Sequence, residues 1–413
     1  MYKWLTIALI MMTPFAWAKE RIEFMVPPGD YMNFVSDVIK PEYERRYPGV
    51  ELVVTSDGNL ETRMAAGDYP NVYAGIFGYQ VARYARLGRL AYLNQFDGFD
   101  GVSERVDQDF MAENFGRNYF IPWHATTQMM IYNKELFAEA GLDPEKPPVT
   151  WDEYVYAAKK ISQLPRRRNG SRVYGSVFWN EEISSGSWYW SMLSQMYYNF
   201  NNGEYQLLNR YGTHPVFDRK EAGMAEFMGI MREIQKYSPL TMEQDFFSRT
   251  IGMWPQYGFG WRLNLQDALG GPMEIGKDVG IAPLPVRNEG DPHFSNLDGR
   301  ALMMFKNTHE IEDLSWNLIE LLMEDRFNLK AAQALQQLPT LRSLKEHPHF
   351  QTEEAIPFVN QLENTVMNES FASVADVSNI VLRYYSRVVL RGELEPEEAV
   401  RRAGQKARKV LRN

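Results

Sequence analysis

Three stretches of the sequence bring together residue types that chemistry uses. Glu181 and Glu182 follow Trp179 and Asn180, which sets paired carboxylates beside an aromatic ring, the elements of a glycosidase acid and base. Adjacent glutamates on an extended segment project to opposite sides, so these two converge on one bond only across a bend. The run from Gly271 through Gly276 to Lys277 and Asp278 approximates a phosphate-binding loop. Its last position should be Ser or Thr to hold magnesium and is an anion instead, while Pro272 removes a backbone N–H that phosphates need. His347 and His349 flank Pro348 with no carboxylate or third histidine at metal-site spacing, the pattern of ordinary surface histidines. Neither G-x-S-x-G nor G-x-G-x-x-G occurs, and none of the 413 residues is cysteine, so thiolate nucleophiles, disulfides and cysteine-bound zinc are excluded. The expectation is a chain with no catalytic residue, no cofactor and no metal.

Rings are what the chain has instead. Aromatic residues make up 14% of it, and several of its ten tryptophans sit in Gly-rich, loop-like surroundings that suit a flat-faced ligand such as a sugar ring. The formal charge of −9 disfavours nucleic acid as a partner. Lys3 is followed by an uncharged stretch to Ala18, broken by Thr13 and Pro14, with Ala16, Trp17 and Ala18 directly before Lys19. This is the layout of a signal peptide cleaved after Ala18, too short for the roughly 20 apolar residues that span a bilayer. Without a cysteine at that site to carry a lipid, the expected product is a free periplasmic protein. Its length exceeds the range of about 250–300 residues at which one core stops growing, so two domains are expected.

The elements that must position such rings follow from local signals. Ile22 to Val26 reads as a strand ending in Pro27, Pro28 and Gly29, with Asp30 placed to cap the next helix; Val50 to Thr55 reads as a second strand. This spacing suggests an α/β unit with a mostly parallel sheet and a ligand crevice at the carboxyl ends of its strands. Thr150 and Glu153 form a capping box, after which Trp151, Tyr154, Val155 and Ala158 share one helical face. Arg166, Arg167 and Arg168 read as a solvated turn. Pro396 opens an amphipathic helix carrying Ala399, Ala403, Ala407 and Val410, with Glu397 and Glu398 four residues before Arg401 and Arg402.

The stretch from Ile131 through Tyr132, Asn133, Lys134 and Glu135 to Gly141 and Leu142, followed by Pro147, Pro148, Val149, Thr150 and Trp151, closely resembles the signature of extracellular solute-binding proteins of the maltose-binding type. Leu60 to Val72, Tyr84 to Leu90, Tyr119 to Pro122, Phe247 to Met253 and Val279 to Pro285 resemble further family segments in the family's order. The resemblance implies an α/β, type II periplasmic-binding-protein fold, with a ligand cleft between two lobes joined by crossover hinges. Lobe I would combine residues 19–123 and 282–323, and lobe II residues 126–279 and 326–413. It implies a monomer that takes a sugar or oligosaccharide and hands it to the transmembrane subunits of an ABC permease.

By position, the resemblance places Trp123 on the first crossover as a stacking ring, with His124 and Thr126 as hydrogen-bonding groups and Phe77, Tyr79 and Gln80 at the end of a lobe I strand. In lobe II it points to Trp179, Trp254, Tyr257 and Trp261, the last between Gly260 and Arg262. Trp151 and Trp316 are expected in the core. One departure bears on the ligand: Asp298, Gly299 and Arg300 stand where relatives often have two glycines, so charged groups including Arg262 are expected near the cleft. The alternatives are a binding protein for another polar solute (a sugar phosphate, a polyol or a uronic-acid oligosaccharide) or a secreted glycan-degrading enzyme.

Overall fold

The computed structural model describes residues 19–412, apart from 77–78, 112–116, 179–186, 241–244, 368, 370 and 372; the side chains of 79, 187–189 and 261–263 also lie outside the description. Its strands are β1 (Glu20–Val26), β2 (Val50–Ser56), β3 (Val72–Ile76), β4 (Phe120–Thr126), β5 (Gln128–Asn133), β6 (Tyr174–Ser176), β7 (Ile251–Gly258), β8 (Val279–Ala282), β9 (Ser295–Met304), β10 (Leu338–Pro339) and β11 (Thr365–Met367). Among the described residues they form two sheets. The seven-stranded sheet runs β10-β4-β9-β3-β1-β2 with β11 added to β9, and the four-stranded sheet runs β6-β7-β5-β8.

Neither sheet is mostly parallel, which corrects the expectation from the first two strands. β1 pairs in parallel with β2 and β3, but β9 runs antiparallel to both β3 and β4, and β5 runs antiparallel to both β7 and β8. The parallel start reflects strand–helix–strand units, where a crossover helix returns the chain in the same direction. β9 follows an excursion through the other sheet and re-enters reversed.

Local signals set the helices as their sequences dictate. Asn133 Oδ1 accepts from Leu136 N at 3.1 Å to start one helix, and Gly141, with φ 70°, follows its end. Thr150 and Glu153 close a capping box on Trp151–Ser162, burying Trp151, Tyr154, Ala157, Ala158 and Ile161. Asp30 is the first residue of its helix rather than the cap, because Gly29 occupies that position. On the C-terminal helix Pro396–Val410, Ala399, Ala403 and Ala407 are buried, and Glu398 holds both Arg401 and Arg402 while Glu397 holds neither. No described helix is long and apolar enough to cross a membrane.

One residue, Thr127, separates β4 from β5 and so joins the two sheets; its buried hydroxyl donates to Phe358 O at 2.9 Å. The chain leaves the four-stranded sheet at Ala282 and re-enters the other at Ser295. The segment expected to open the second half of lobe II at residue 326 belongs elsewhere: Phe327, Ala331 and Leu335 pack in the core of the seven-stranded sheet, and β10 pairs with β4. Helix Val374–Val389 is the one that packs with Trp151 and Phe227 in the core beside the four-stranded sheet. Charge and periodicity in 326–340 look alike for either core, so only the strand pairing separates them.

Candidate functional site

The site grows from an irregularity in β4. Pro122 pairs with Ala301 and His124 with Arg300, so Trp123 is an extra residue in the strand, a β-bulge. Two buried side chains hold it. Thr340 Oγ1 donates to Pro122 O at 2.8 Å and lies 3.1 Å from Trp123 O, while Asn328 Nδ2 donates to Trp123 O at 2.9 Å. Beyond the bulge, His124 stands opposite Arg300 and Thr126 opposite Asp298. Because side chains alternate along a strand, these four share one face of the sheet.

Tyr31, just after β1 on helix Asp30–Phe34, closes over that face. Its ring lies 5.4 Å from the His124 ring, and the Arg300 guanidinium carbon lies 5.6 Å from the Tyr31 ring centre. Burial pushes the Tyr31 phenol up to about 12. His124 is 1% exposed with no hydrogen-bond partner at either ring nitrogen; burial, reinforced by the Arg300 charge, holds its pKa well below the ordinary value and keeps it neutral. Asp298 is half-buried and accepts from Gly299 N at 2.7 Å; burial raises its pKa against the opposing pull of that N–H and of Arg300. The patch therefore offers a cation, a carboxyl, a phenol and a neutral imidazole able to donate from one nitrogen and accept at the other.

On the other side of Thr127 lies a buried amide network. Gln195 donates to Gln128 Oε1, Gln256 Nε2 donates to Met192 O at 2.8 Å, and Ser295 Oγ accepts from Gln128 N at 2.8 Å. Asn296 on β9 donates to Ser191 O, and Ser194 Oγ donates to Asn296 Oδ1 at 3.1 Å. Helix Ser187–Tyr198 is thus tied to the strand that carries Asp298 and Arg300.

Sequence expectations meet this geometry unevenly. His124, Thr126, Asp298 and Arg300 come together, with Gly299 between the last two. Trp123 does not present a stacking face: it is fully buried, ringed by Phe24, Tyr31 and Phe34 at 6.0–6.5 Å, because the bulge turns it into the core. Trp254 and Tyr257 are corrected in the same way, at 4% and 0% exposure. They meet edge to face at 5.8 Å, Phe247 covers Trp254, and Phe358 lies 6.0 Å from Tyr257. Gln80 Oε1 is engaged by Ile76 N at 2.7 Å, which closes the turn after β3. Phe77 and Trp179, with Glu181 and Glu182, lie outside the described residues, as do the side chains of Tyr79, Trp261 and Arg262.

The rejected motifs have structural uses. Arg249 donates to the carbonyls of Leu269, Gly271 and Pro272 at 2.8–2.9 Å, so the glycine loop turns oxygens toward a cation, the reverse of a phosphate cradle. His347 Nδ1 accepts from His349 N at 3.2 Å as a helix cap. Tyr31 and the glutamines escaped the sequence reading. Tyr31 had a usable signal, since it follows the Pro-Pro-Gly turn at the carboxyl end of β1, where α/β sheets place ligands.

Comparison with known proteins adds a second line. The profile of the family described as bacterial extracellular solute-binding protein matches residues 29–325. The chain is 22% identical over 358 residues to the diacetylchitobiose-binding protein DasA of Streptomyces coelicolor, covering 84% of this chain and 78% of that one. It is 28% identical over 137 residues to the sn-glycerol-3-phosphate-binding periplasmic protein UgpB of Escherichia coli, a match of 30% of this chain and 31% of that protein. Among solved structures, the cyclic α-maltosyl-1,6-maltose binding protein of Arthrobacter globiformis superposes with a TM-score of 0.78 at 22% identity, over 96% of this chain and 100% of that one, which shows a shared fold.

Proposed function

The chain belongs to the family of bacterial extracellular solute-binding proteins, and from that premise we propose that it is the periplasmic receptor of an ABC importer, capturing a sugar or oligosaccharide and delivering it to the membrane permease. Its carrying observation is the pair of sheets joined at Thr127, with polar groups gathered on the paired strands β4 and β9 beside that joint. The seven-stranded sheet carries one lobe and the four-stranded sheet the other. A ligand that touches both lobes when they close and one when they open shifts the population to the closed form, which is what a permease can recognise.

Sugar is the ligand class that the relatives favour, since DasA binds diacetylchitobiose and the Arthrobacter protein a cyclic maltosyl-maltose. The glycosidase reading loses ground to membership of a solute-binding family, and we propose capture without turnover. Export with cleavage after Ala18 is supported by the charge and small-residue pattern of residues 1–19. Calorimetric titration against a panel of neutral and acidic sugars, with the ligand recovered and analysed afterwards, tests the reading. The expected result is one tight ligand returned unchanged. Cleavage that survives repurification and is lost in Glu181→Gln or Glu182→Gln moves the case to an enzyme.

A further inference from the structure

Resting on that reading, we propose that Arg300, Tyr31 and His124 form a subsite for the carboxylate of an acidic sugar, with Asp298 and Thr126 receiving a neighbouring hydroxyl. The ligand class is therefore a uronic-acid saccharide.

Arg300 has the Asp298 carboxyl near enough for its charge to oppose the rise in the Asp298 pKa, yet the two form no ion pair. Several other partly buried arginines are ion-paired, among them Arg46 with Glu42 and Glu324, Arg63 with Glu23 and Asp68, and Arg167 with Glu139, while Arg249 is held by the carbonyls of Leu269, Gly271 and Pro272. Arg300 forms no ion pair with any described carboxylate; its guanidinium lies against the Tyr31 ring. Asp298, two residues away on the same face, has its Oδ1 engaged by Gly299 N–H. A cation partly withdrawn from water is costly unless an anion meets it, and a guanidinium fork matches a carboxylate in geometry as well as charge.

A second observation points the same way. His124 is almost wholly buried, yet neither ring nitrogen is satisfied by the protein. Buried polar groups in native proteins have partners, so an orphan on both nitrogens, 5.4 Å from the Tyr31 ring and cross-strand from Arg300, marks the place of a polar ligand. The bulge at Trp123 is what brings it there. Without the extra residue, the alternation of β4 would turn His124 to the opposite face.

The choice of carboxylate over phosphate comes from the charge count. Arg300 supplies one positive charge, His124 is neutral, and Asp298 is a carboxyl on the same face. A monoanion is balanced by Arg300 alone, whereas a phosphate dianion would bring a second negative charge against Asp298. Asp298 has acceptor capacity beyond its bond from Gly299, and a uronic acid carries hydroxyls beside its carboxylate that suit it.

Calorimetric titration of residues 19–413 with a diuronic acid, its neutral dihexose counterpart and a hexose phosphate tests the assignment. The diuronic acid should bind at least tenfold more tightly than the dihexose, with affinity that falls as salt rises. Arg300→Ala should lose at least tenfold for the diuronic acid and less than threefold for the dihexose. Arg300→Lys should restore only part of the loss, and the melting temperature without ligand should stay within about 3 °C in both variants. Equal binding of acid and neutral sugar, with Arg300→Ala affecting both alike, overturns the acidic subsite and leaves sugar capture standing. Preference for the phosphate overturns the monoanion. A protein that melts cooperatively and binds none of the three, nor any sugar of a wider neutral panel, overturns the sugar reading itself.

Discussion

Thr340→Val tests what places His124 and Arg300 opposite each other. Valine keeps the shape of threonine and deletes only the hydroxyl, which is fully buried and sits 2.8 Å from Pro122 O and 3.1 Å from Trp123 O. The hydroxyl has a single proton, and the shorter contact takes most of it. Its loss takes the side-chain donor from buried Pro122 O, while Trp123 O keeps the bond from Asn328 Nδ2 at 2.9 Å. An unsatisfied buried acceptor costs about 1–3 kcal/mol, so urea unfolding should show a loss in that range. Thr62→Val, at an exposed position, should stay within about 0.5 kcal/mol. The double variant Thr340→Val with Asn328→Leu removes both donors from Trp123 O, and should exceed the sum of the singles by roughly 0.5 kcal/mol or more. Ligand affinity should fall in Thr340→Val and hold in Thr62→Val. A loss below about 0.5 kcal/mol in Thr340→Val, or strict additivity in the cycle, would refute the idea that these side chains fix the bulge.

Four further outcomes are expected. Trp151→Ala removes a 2%-exposed indole stacked on Phe200 at 5.6 Å and should cost about 3–5 kcal/mol in denaturant while leaving ligand affinity within about threefold. Trp261→Ala should do the opposite, weakening sugar binding at least about tenfold with little change in ligand-free melting, as the family resemblance implies for a stacking ring; early melting with normal binding would place it in the core. Thr150→Ala breaks the capping box and should cost about 1 kcal/mol, read by chemical denaturation. Glu369, buried with Leu207 N and Leu208 N on its oxygens, has its pKa raised by burial to about 8. The folded chain then holds a proton that the unfolded chain releases above about pH 4.3, so this stabilisation is complete at low pH and is lost as pH rises toward 8. The change is on the order of 5 kcal/mol, should vanish in Glu369→Leu, and is separable from Glu23, whose lowered pKa acts at lower pH and in the opposite direction.

The parts of this architecture that were legible in the sequence are those that a few adjacent residues decide. Asn133, Gly141, Thr150 and Glu153 set helix ends through contacts within four residues, and those ends appear where the residues place them. Strand direction was not legible, because β9 pairs with β3 and β4 across more than 170 residues, and nothing near Ser295 encodes which way it will run. The charged pair Asp298 and Arg300 stood out as a departure from relatives, and it does meet His124 and Thr126, from within strand β9 rather than from a turn. The tryptophans were harder. Whether an indole faces a cleft or a core depends on one extra residue in β4 for Trp123, and on Phe247 and Tyr257 for Trp254. Composition shows rings in plenty and is silent on which side they face.

The single residue between β4 and β5 has a mechanical consequence. β4 is seven residues long, and at about 3.4 Å per residue its far end stands about 24 Å from Thr127. A twist of roughly 10° at that joint carries the far end by about 4 Å, more than the length of a hydrogen bond. Stroke and stiffness are thereby assigned to different parts of the chain: the length of β4 sets how far a small torsion travels, and the bond from Thr127 Oγ1 to Phe358 O sets how much torque the torsion takes.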